Sequence, residues 1–362
     1  MPDQPHNTRV GKYELEEFLG GGMSHVYRAK DSVLGRRVAV KILTESGAKD
    51  AETKARFLQE ARTASNISHE NIISVFDFGE DQGRPFIVME FLEGESLRDA
   101  IKRGHLIDFQ SRLKILIQAG RAIDFIHTKK IIHRDIKPEN INLDRAGKVK
   151  LMDFGIAKSE GIALTRAGFT LGTPYYMAPE QVLGQPLTTQ VDVYAFGILI
   201  FEVLTGLKPI TGESVEKIFN QILYEPVKLE PLAQFPPRIA NLVERCTAKQ
   251  PAQRLESVAA CVEELERVLD PSRPISSRGR TGQQAVSPPV TVARKPETPH
   301  DHSSAVPTIT TATAAQLDGM PAFVRHLPKP LQSQAGLMVL ACGAVVVVMA
   351  LAYFALAAAH VI

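Results

Sequence analysis

Cysteine is scarce in this chain of 362 residues. Its three, Cys246, Cys261 and Cys342, are too few and too scattered in sequence for a disulfide framework or a zinc site, and they suit a reducing compartment. A surplus of charge of one sign is also missing: 42 Lys and Arg against 40 Asp and Glu leave a formal net charge of +2. No basic stripe is interleaved with aromatics, so nucleic-acid binding has no electrostatic footprint. A secretory leader is not expected either, because MPDQPHNTRVGKYE is polar and acidic where a leader is basic and then apolar. No internal repeat is visible. Residues 270–334 hold a single aromatic, Phe323, among many Pro, Ser, Thr and Ala. Such a segment cannot bury enough apolar surface to offset its ordering entropy, and it reads as a flexible juxtamembrane linker.

Long apolar runs are confined to one place. Residues 335–359, AGLMVLACGAVVVVMALAYFALAAA, carry neither charge nor proline, and as a helix they would measure about 37 Å against about 30 Å of hydrocarbon. A transmembrane helix is expected there. Arg325 and Lys329 precede it and no Lys or Arg follows, which agrees with an expected cytoplasmic N-terminal side. The expected arrangement is a single-pass anchor in a bacterial inner (cytoplasmic) membrane, with the lipid bilayer as a partner.

What the chain does have begins at residue 13. YELEEFL, HVYRAKD, RRVAVKIL, IISVFDF and PFIVMEF read as strands, interrupted by one helical pattern, DAETKARFLQEARTASNI. From Ser96 onward the periodicity is helical, apart from the short strands INLD and KVKLMDF. An α+β fold of two lobes is predicted, a small β-rich one with one main helix and a large α-rich one, over residues 13–269. Within it, FLGGGMSHVYRAKD sets Gly20, Gly21 and Gly22 between two strands. Counting a G-x-G-x-x-G-x-V loop back from Val26 calls for glycine at 24, 21 and 19, where the chain has Ser24, Gly21 and Leu19. The stretch is either a hairpin or a phosphate clamp one residue short.

The strongest stretches are IIHRDIKPENINL (131–143), LMDFGIA (151–157) and MAPE (177–180). HRD followed by Lys and Asn, then DFG, then APE resembles the eukaryotic-type (Hanks-type) serine/threonine protein kinases, and the wording GGMS, HRDIKPENI and GTPYYMAPEQ is similar to bacterial, membrane-anchored members. Phosphoryl transfer explains the residue types: the triphosphate's charge must be neutralised and an alcohol held in line, which calls for a base, cations and metal ligands. The resemblance implies that Asp135 accepts the substrate proton and Lys137 neutralises the γ-phosphate. Asn140 and Asp153 would hold Mg²⁺, or Mn²⁺ in its place. Lys41 of VAVK would grip the α- and β-phosphates and pair with Glu60, which is preferred to Gln59 and Glu52. Leu19, Gly20, Gly21, Gly22 and Val26 would form the shortened clamp over ATP, with Gly20 as its first glycine. Ala39, Met89, Glu90 and Leu92 would surround the adenine, with Met89 equally readable as core.

Asn142 departs from the family pattern, since it puts a polar floor under the adenine. Glu180 would pair with Arg254, and Asp192 would brace the catalytic loop. Lys137 and Thr173 resemble the serine/threonine-specific pattern. Arg134 implies control by a phosphorylated activation segment, in which Thr165 and Thr170 are the acceptors left once Thr173, the tyrosines and Ser159 are set aside. Protein substrates, autophosphorylation and a homodimer that would serve it in trans complete what the resemblance implies. Two rivals stand beside it: a pseudokinase scaffold, which the intact Lys41, Asp135, Asn140 and Asp153 oppose, and a small-molecule kinase, which the APE-terminated segment opposes.

Overall fold

Alternation builds the first sheet. In a computed structural model, which describes residues 9–106, 108–153 and 174–272, the chain opens with strands β1 (Arg9–Val10), β2 (Tyr13–Gly21), β3 (Ser24–Asp31) and β4 (Arg37–Leu43). Helices α1 (Glu45–Lys49) and α2 (Ala51–Ser65) follow, then β5 (Val75–Asp81) and β6 (Arg84–Glu90). The six strands pair antiparallel in the order β1-β2-β3-β4-β6-β5. Side chains on a strand alternate between faces, and the register separates two sets. Tyr27, Ala29, Val38, Val40, Ile42, Phe86 and Val88 pack into one core. Val26, Ala39, Lys41 and Met89 lie at the alternate positions and share the other face.

Helix α2 covers part of that second face. Asp50 caps it, accepting from the amides of Glu52 and Thr53 at 3.3 Å each, which satisfies donors with no partner inside the helix. Phe57 and Ala61, four residues apart, pack with Leu43 and Ile87 of the sheet. Burying a side chain of Phe57's size contributes about 1.5–3 kcal/mol. The same turn of helix brings Glu60 toward β4.

The second lobe contains β7 (Glu95–Ser96), α3 (Leu97–Arg103), α4 (Phe109–Thr128), β8 (Ile141–Leu143), β9 (Val149–Leu151), α5 (Pro179–Val182), α6 (Gln190–Thr205), α7 (Val215–Tyr224), α8 (Pro237–Cys246) and α9 (Val258–Leu269). The short strands form an antiparallel sheet in the order β7-β8-β9. Every residue of α6 from Val191 to Leu204 is buried, as expected of a helix that is apolar all round. Asp192 and Glu202 are buried with it and must therefore find partners. The lobes meet where Leu151 bridges Ile72, with backbone hydrogen bonds from Ile73 and to Asn71 at 3.0 and 2.8 Å.

Two of the cysteines that look scattered in sequence are together in space: Cys246 at the end of α8 and Cys261 in α9 are free, buried and 3.4 Å apart at Sγ. Helix packing, not sequence spacing, decides their separation. Among the described residues no helix is long and apolar enough to cross a membrane. The run 335–359, the linker from residue 273 onward, and Thr165, Thr170 and Thr173 all lie outside the described residues.

Candidate active site

Three elements converge on Lys41. From the middle of β4 its Nζ donates to Glu60 Oε1 of α2 at 3.2 Å and to Asp153 Oδ1, just past β9, at 2.7 Å. Burial works against the Lys41 ammonium, but Asp153 and Glu60 together outweigh it and hold its pKa above the ordinary lysine value. Lys41 in turn holds the Asp153 carboxyl below its usual range, whereas burial pushes Glu60 up. Of the alternatives to Glu60, Glu52 pairs instead with Arg56 at 3.7 Å, one turn along the helix.

The segment between α4 and β8 carries the second group. Lys137 Nζ donates to Asp135 Oδ2 at 2.9 Å, and Asn140 Nδ2 donates to the Asp135 carbonyl at 2.8 Å and to Oδ2 at 3.1 Å. Asn140's amide nitrogen is thereby occupied and its oxygen is the atom left for a ligand. Asp153 is half-exposed. A carboxylate and an amide oxygen are the hard donors that a divalent ion such as Mg²⁺ takes, so these two residues fit the ion that the kinase resemblance implies. Arg134 (φ 65°) and Asp153 (φ 48°) both lie in the left-handed region that non-glycine residues rarely adopt, and strain of this kind persists only where surrounding contacts fix it.

The contacts around Arg134 are visible. Buried Asp192 accepts from the backbone amides of His133 and Arg134 at 2.8 Å each, and His127 Nε2 contacts its Oδ2 at 2.7 Å. The Arg134 carbonyl accepts from Gln181 Nε2 at 3.1 Å. His133 ties this loop to the strand before Asp153. Its Nδ1 accepts from the Asp135 amide at 3.3 Å, so its Nε2 carries the proton and donates to the Met152 carbonyl at 3.2 Å. Burial lowers the His133 pKa, in keeping with a neutral ring.

The remaining sequence-derived residues fall into three places. Glu90, Leu92 and Asn142 line one cleft of about 450 Å³, together with Lys150, whose Nζ donates to Glu90 at 2.8 Å. Met89 faces the same side of the sheet as Ala39, its cross-strand partner, and packs against the Leu43, Phe57, Ala61 and Ile87 cluster. Leu19 sits in a register shift between Phe18 and Gly20.

The glycines do not share one role. Gly22 and Met23 make the tip of the β2-β3 hairpin, whose Met23 carbonyl accepts from the Thr44 amide at 3.1 Å and from its hydroxyl at 3.0 Å. A Cβ on Gly21 (φ 147°) would lie 2.0 Å from the Ser24 carbonyl oxygen. Gly21 is therefore demanded by the hairpin itself, and a substitution there would not report on phosphates. A Cβ on Gly22 meets nothing within 4 Å, and its φ is not positive. Gly22→Ala should leave the thermal midpoint unchanged. If the tip approaches the ATP phosphates, crowding of about 1–2 kcal/mol raises KM for ATP roughly five- to thirtyfold. An unchanged KM would make the stretch a hairpin only.

A model described as the protein kinase domain matches residues 13–265. The chain belongs to the protein kinase domain family. It is 39% identical over 257 residues to the serine/threonine-protein kinase PknA of Mycobacterium tuberculosis, covering 69% of this chain and 59% of that protein. It is 38% identical over 267 residues to the serine/threonine-protein kinase PrkC of Bacillus subtilis, covering 73% and 41%. The chain spans about half the length of the curated relatives it matches. A crystal structure of Rad53 1-466 in complex with AMP-PNP is similar with a TM-score of 0.60 and 25% identity, over 70% of this chain and 64% of that one.

Sequence reasoning missed one hub of the kinase domain. Arg98 of α3, itself buried, donates from Nε to Glu139 at 2.8 Å, from one terminal nitrogen to Glu202 and from the other to the Tyr176 hydroxyl at 2.5 Å. Tyr176 in turn donates to Glu202. Helices α3 and α6, the loop beside Asn140 and the end of the activation segment are joined through one guanidinium. Its signal in the sequence was indirect: Glu202, like Asp192, is an acid inside the apolar run of α6 and needed a polar partner. Burial also removes Tyr176 as an accessible phosphoacceptor.

Proposed function

We propose that the chain is a serine/threonine protein kinase that transfers the γ-phosphoryl group of ATP to protein hydroxyls with a divalent ion, Mg²⁺ or Mn²⁺, and that it autophosphorylates its activation segment. The convergence of Lys41, Glu60 and Asp153 opposite Asp135, Lys137 and Asn140 carries this reading. The names of the bacterial relatives support the serine/threonine class. Asn140 and Asp153 would hold the ion, which when bound neutralises triphosphate charge. Lys41, kept in place by Glu60, is positioned for the α- and β-phosphates. Asp135 Oδ2, oriented by Lys137 and Asn140, accepts the proton of the acceptor hydroxyl, while Lys137 supplies positive charge to the transferred group. Glu90 and Leu92 contribute backbone groups along the adenine edge, above Asn142.

Control is proposed at Thr165 and Thr170. A phosphate adds about −1.5 to −2 charges and forms charge-assisted bonds with arginine, which would order the segment against Arg134. A homodimer would allow this in trans. The decisive experiment supplies the full chain with labelled ATP, Mg²⁺ and a lysate, and maps the phosphorylated residues. Phosphoserine and phosphothreonine on proteins are expected, with Thr165 or Thr170 occupied, and the Thr165→Ala/Thr170→Ala variant should lose most activity toward an added substrate. Nucleotide binding with no transfer would instead favour a scaffold.

The linker 270–334 and helix 335–359 are proposed to tether the kinase domain to the cytoplasmic face of the inner membrane. Truncation after Gln334 should move the protein from the membrane to the soluble fraction with activity retained. Full-length protein released by carbonate would contradict the anchor.

A further inference from the structure

One pair of partners in the large lobe involves no charge. Cys246 ends α8 and Cys261 lies in the first turns of α9, with Sγ atoms 3.4 Å apart and neither residue exposed. The Cys261 thiol also reaches the carbonyl of Ser257, the N-cap of its helix, at 3.3 Å. Cys246 is backed by α6, where a Cβ placed on Gly197 would meet the Cys246 Cβ at 2.5 Å. The thiols therefore face each other between helices that leave little room to turn away. A disulfide bond is about 2.05 Å long, so modest movement of two side chains already in contact would close it.

The segment between these cysteines carries Arg254. Its guanidinium donates to both oxygens of Glu180 at 2.7 and 2.8 Å, and to the carbonyls of Ala248, Lys249 and Gln190. A link between Cys246 and Cys261 would close a loop around the residue that fixes the end of the activation segment.

We propose that Cys246 and Cys261 form a reversible dithiol–disulfide site, oxidised by hydrogen peroxide, whose closed form staples the Arg254 segment. One thiol takes an oxygen atom from the peroxide, giving a sulfenic acid and a water. The second sulfur displaces the hydroxyl of that sulfenic acid, forming the S–S bond and a second water. Two thiols lose two electrons and two protons, and one peroxide is reduced to two waters. Peroxide is small enough to enter on local opening of the terminal helices. The hydrogen bond with Cys246, together with burial, raises the Cys261 thiol pKa, so the reaction is slow near neutral pH and quickens as the pH rises. Closing a 15-residue separation restricts the unfolded chain, and for a domain of this size the thermal midpoint should rise by about 5 °C.

The test uses the full-length chain in detergent micelles, treated with hydrogen peroxide, then denatured, alkylated and digested without reductant. The expected product is a Cys246–Cys261 linked peptide pair, lost on addition of dithiothreitol and accompanied by the higher midpoint. Cys261→Ala should abolish both the linked pair and the peroxide-dependent shift. Peptide mapping of the unaltered chain decides the matter even if that variant folds poorly. Recovery of both cysteines alkylated, linkage only to Cys342, or conversion to sulfinic acid would overturn the proposal. A linked pair with an unchanged midpoint would overturn the staple.

Discussion

Asp135→Asn is expected to lower the rate of phosphoryl transfer by about 10²–10⁴-fold, the usual worth of a positioned general base, while KM for ATP stays within about twofold. The reason is local. The amide is isosteric with the carboxylate and its oxygen can still accept from Lys137 and Asn140, which hold Asp135 Oδ2 at 2.9 and 3.1 Å, so the loop keeps its shape. What disappears is the basic oxygen that takes the hydroxyl proton. Asp153→Asn should behave differently. It removes a charged metal donor and one of the two carboxylates on Lys41, so ATP binding that depends on divalent ion should weaken along with the rate. Nucleotide titrations with and without Mg²⁺, beside steady-state kinetics, separate the two. Near-normal turnover in Asp135→Asn would sink the proposed role, and identical behaviour of both variants would show that the division of labour is wrong.

Arg254→Ala should produce the largest loss of stability. The Arg254 side chain is fully buried, and its partner Glu180 is 5% exposed. Removing the guanidinium strands a buried carboxylate and takes a donor from three backbone carbonyls at once. Breaking one partner of a buried pair costs about 3–5 kcal/mol, which for a domain of this size is a drop in midpoint of about 10 °C. Arg254→Lys should recover only part, because an ammonium cannot reproduce the bidentate fork. Adding Glu180→Gln to Arg254→Ala should restore some stability by neutralising the stranded charge. Thermal unfolding of the four proteins checks this, and a loss below about 1 kcal/mol in Arg254→Ala would mean that water replaces the arginine.

The two sites differ in how far they could be read in advance. Asp135, Lys137 and Asn140 lie within six residues, and their contacts form inside one loop, so a linear motif contains the geometry. Lys41 and Glu60 could be paired because the kinase resemblance pairs that lysine with a glutamate of the helix that follows, and the structure joins the two at 3.2 Å. Arg98 offered no such pattern. Its partners Glu139, Tyr176 and Glu202 lie 41, 78 and 104 residues away, and only the packing of α3 against α6 makes them neighbours. Gly21 was legible as a glycine, but its reason was not. A clash with the Ser24 carbonyl depends on how tightly the hairpin folds, which spacing does not specify.

By itself the sequence determined the division into a strand-rich lobe, a helix-rich lobe, a Pro/Ser/Thr-rich stretch and an apolar run. It also determined which residues carry the candidate chemistry. Periodicity and short motifs are local properties, and burial follows from them directly. Tertiary structure decided the contacts within that site and which distant groups meet where no motif links them. It set Lys41 between Glu60 and Asp153, satisfied the two acids buried in α6 with Arg98 and with the amides of residues 133 and 134, and placed Cys246 against Cys261. A buried charge or thiol takes whatever partner helix packing delivers, and that packing is fixed by the volumes of the whole core rather than by any stretch of chain.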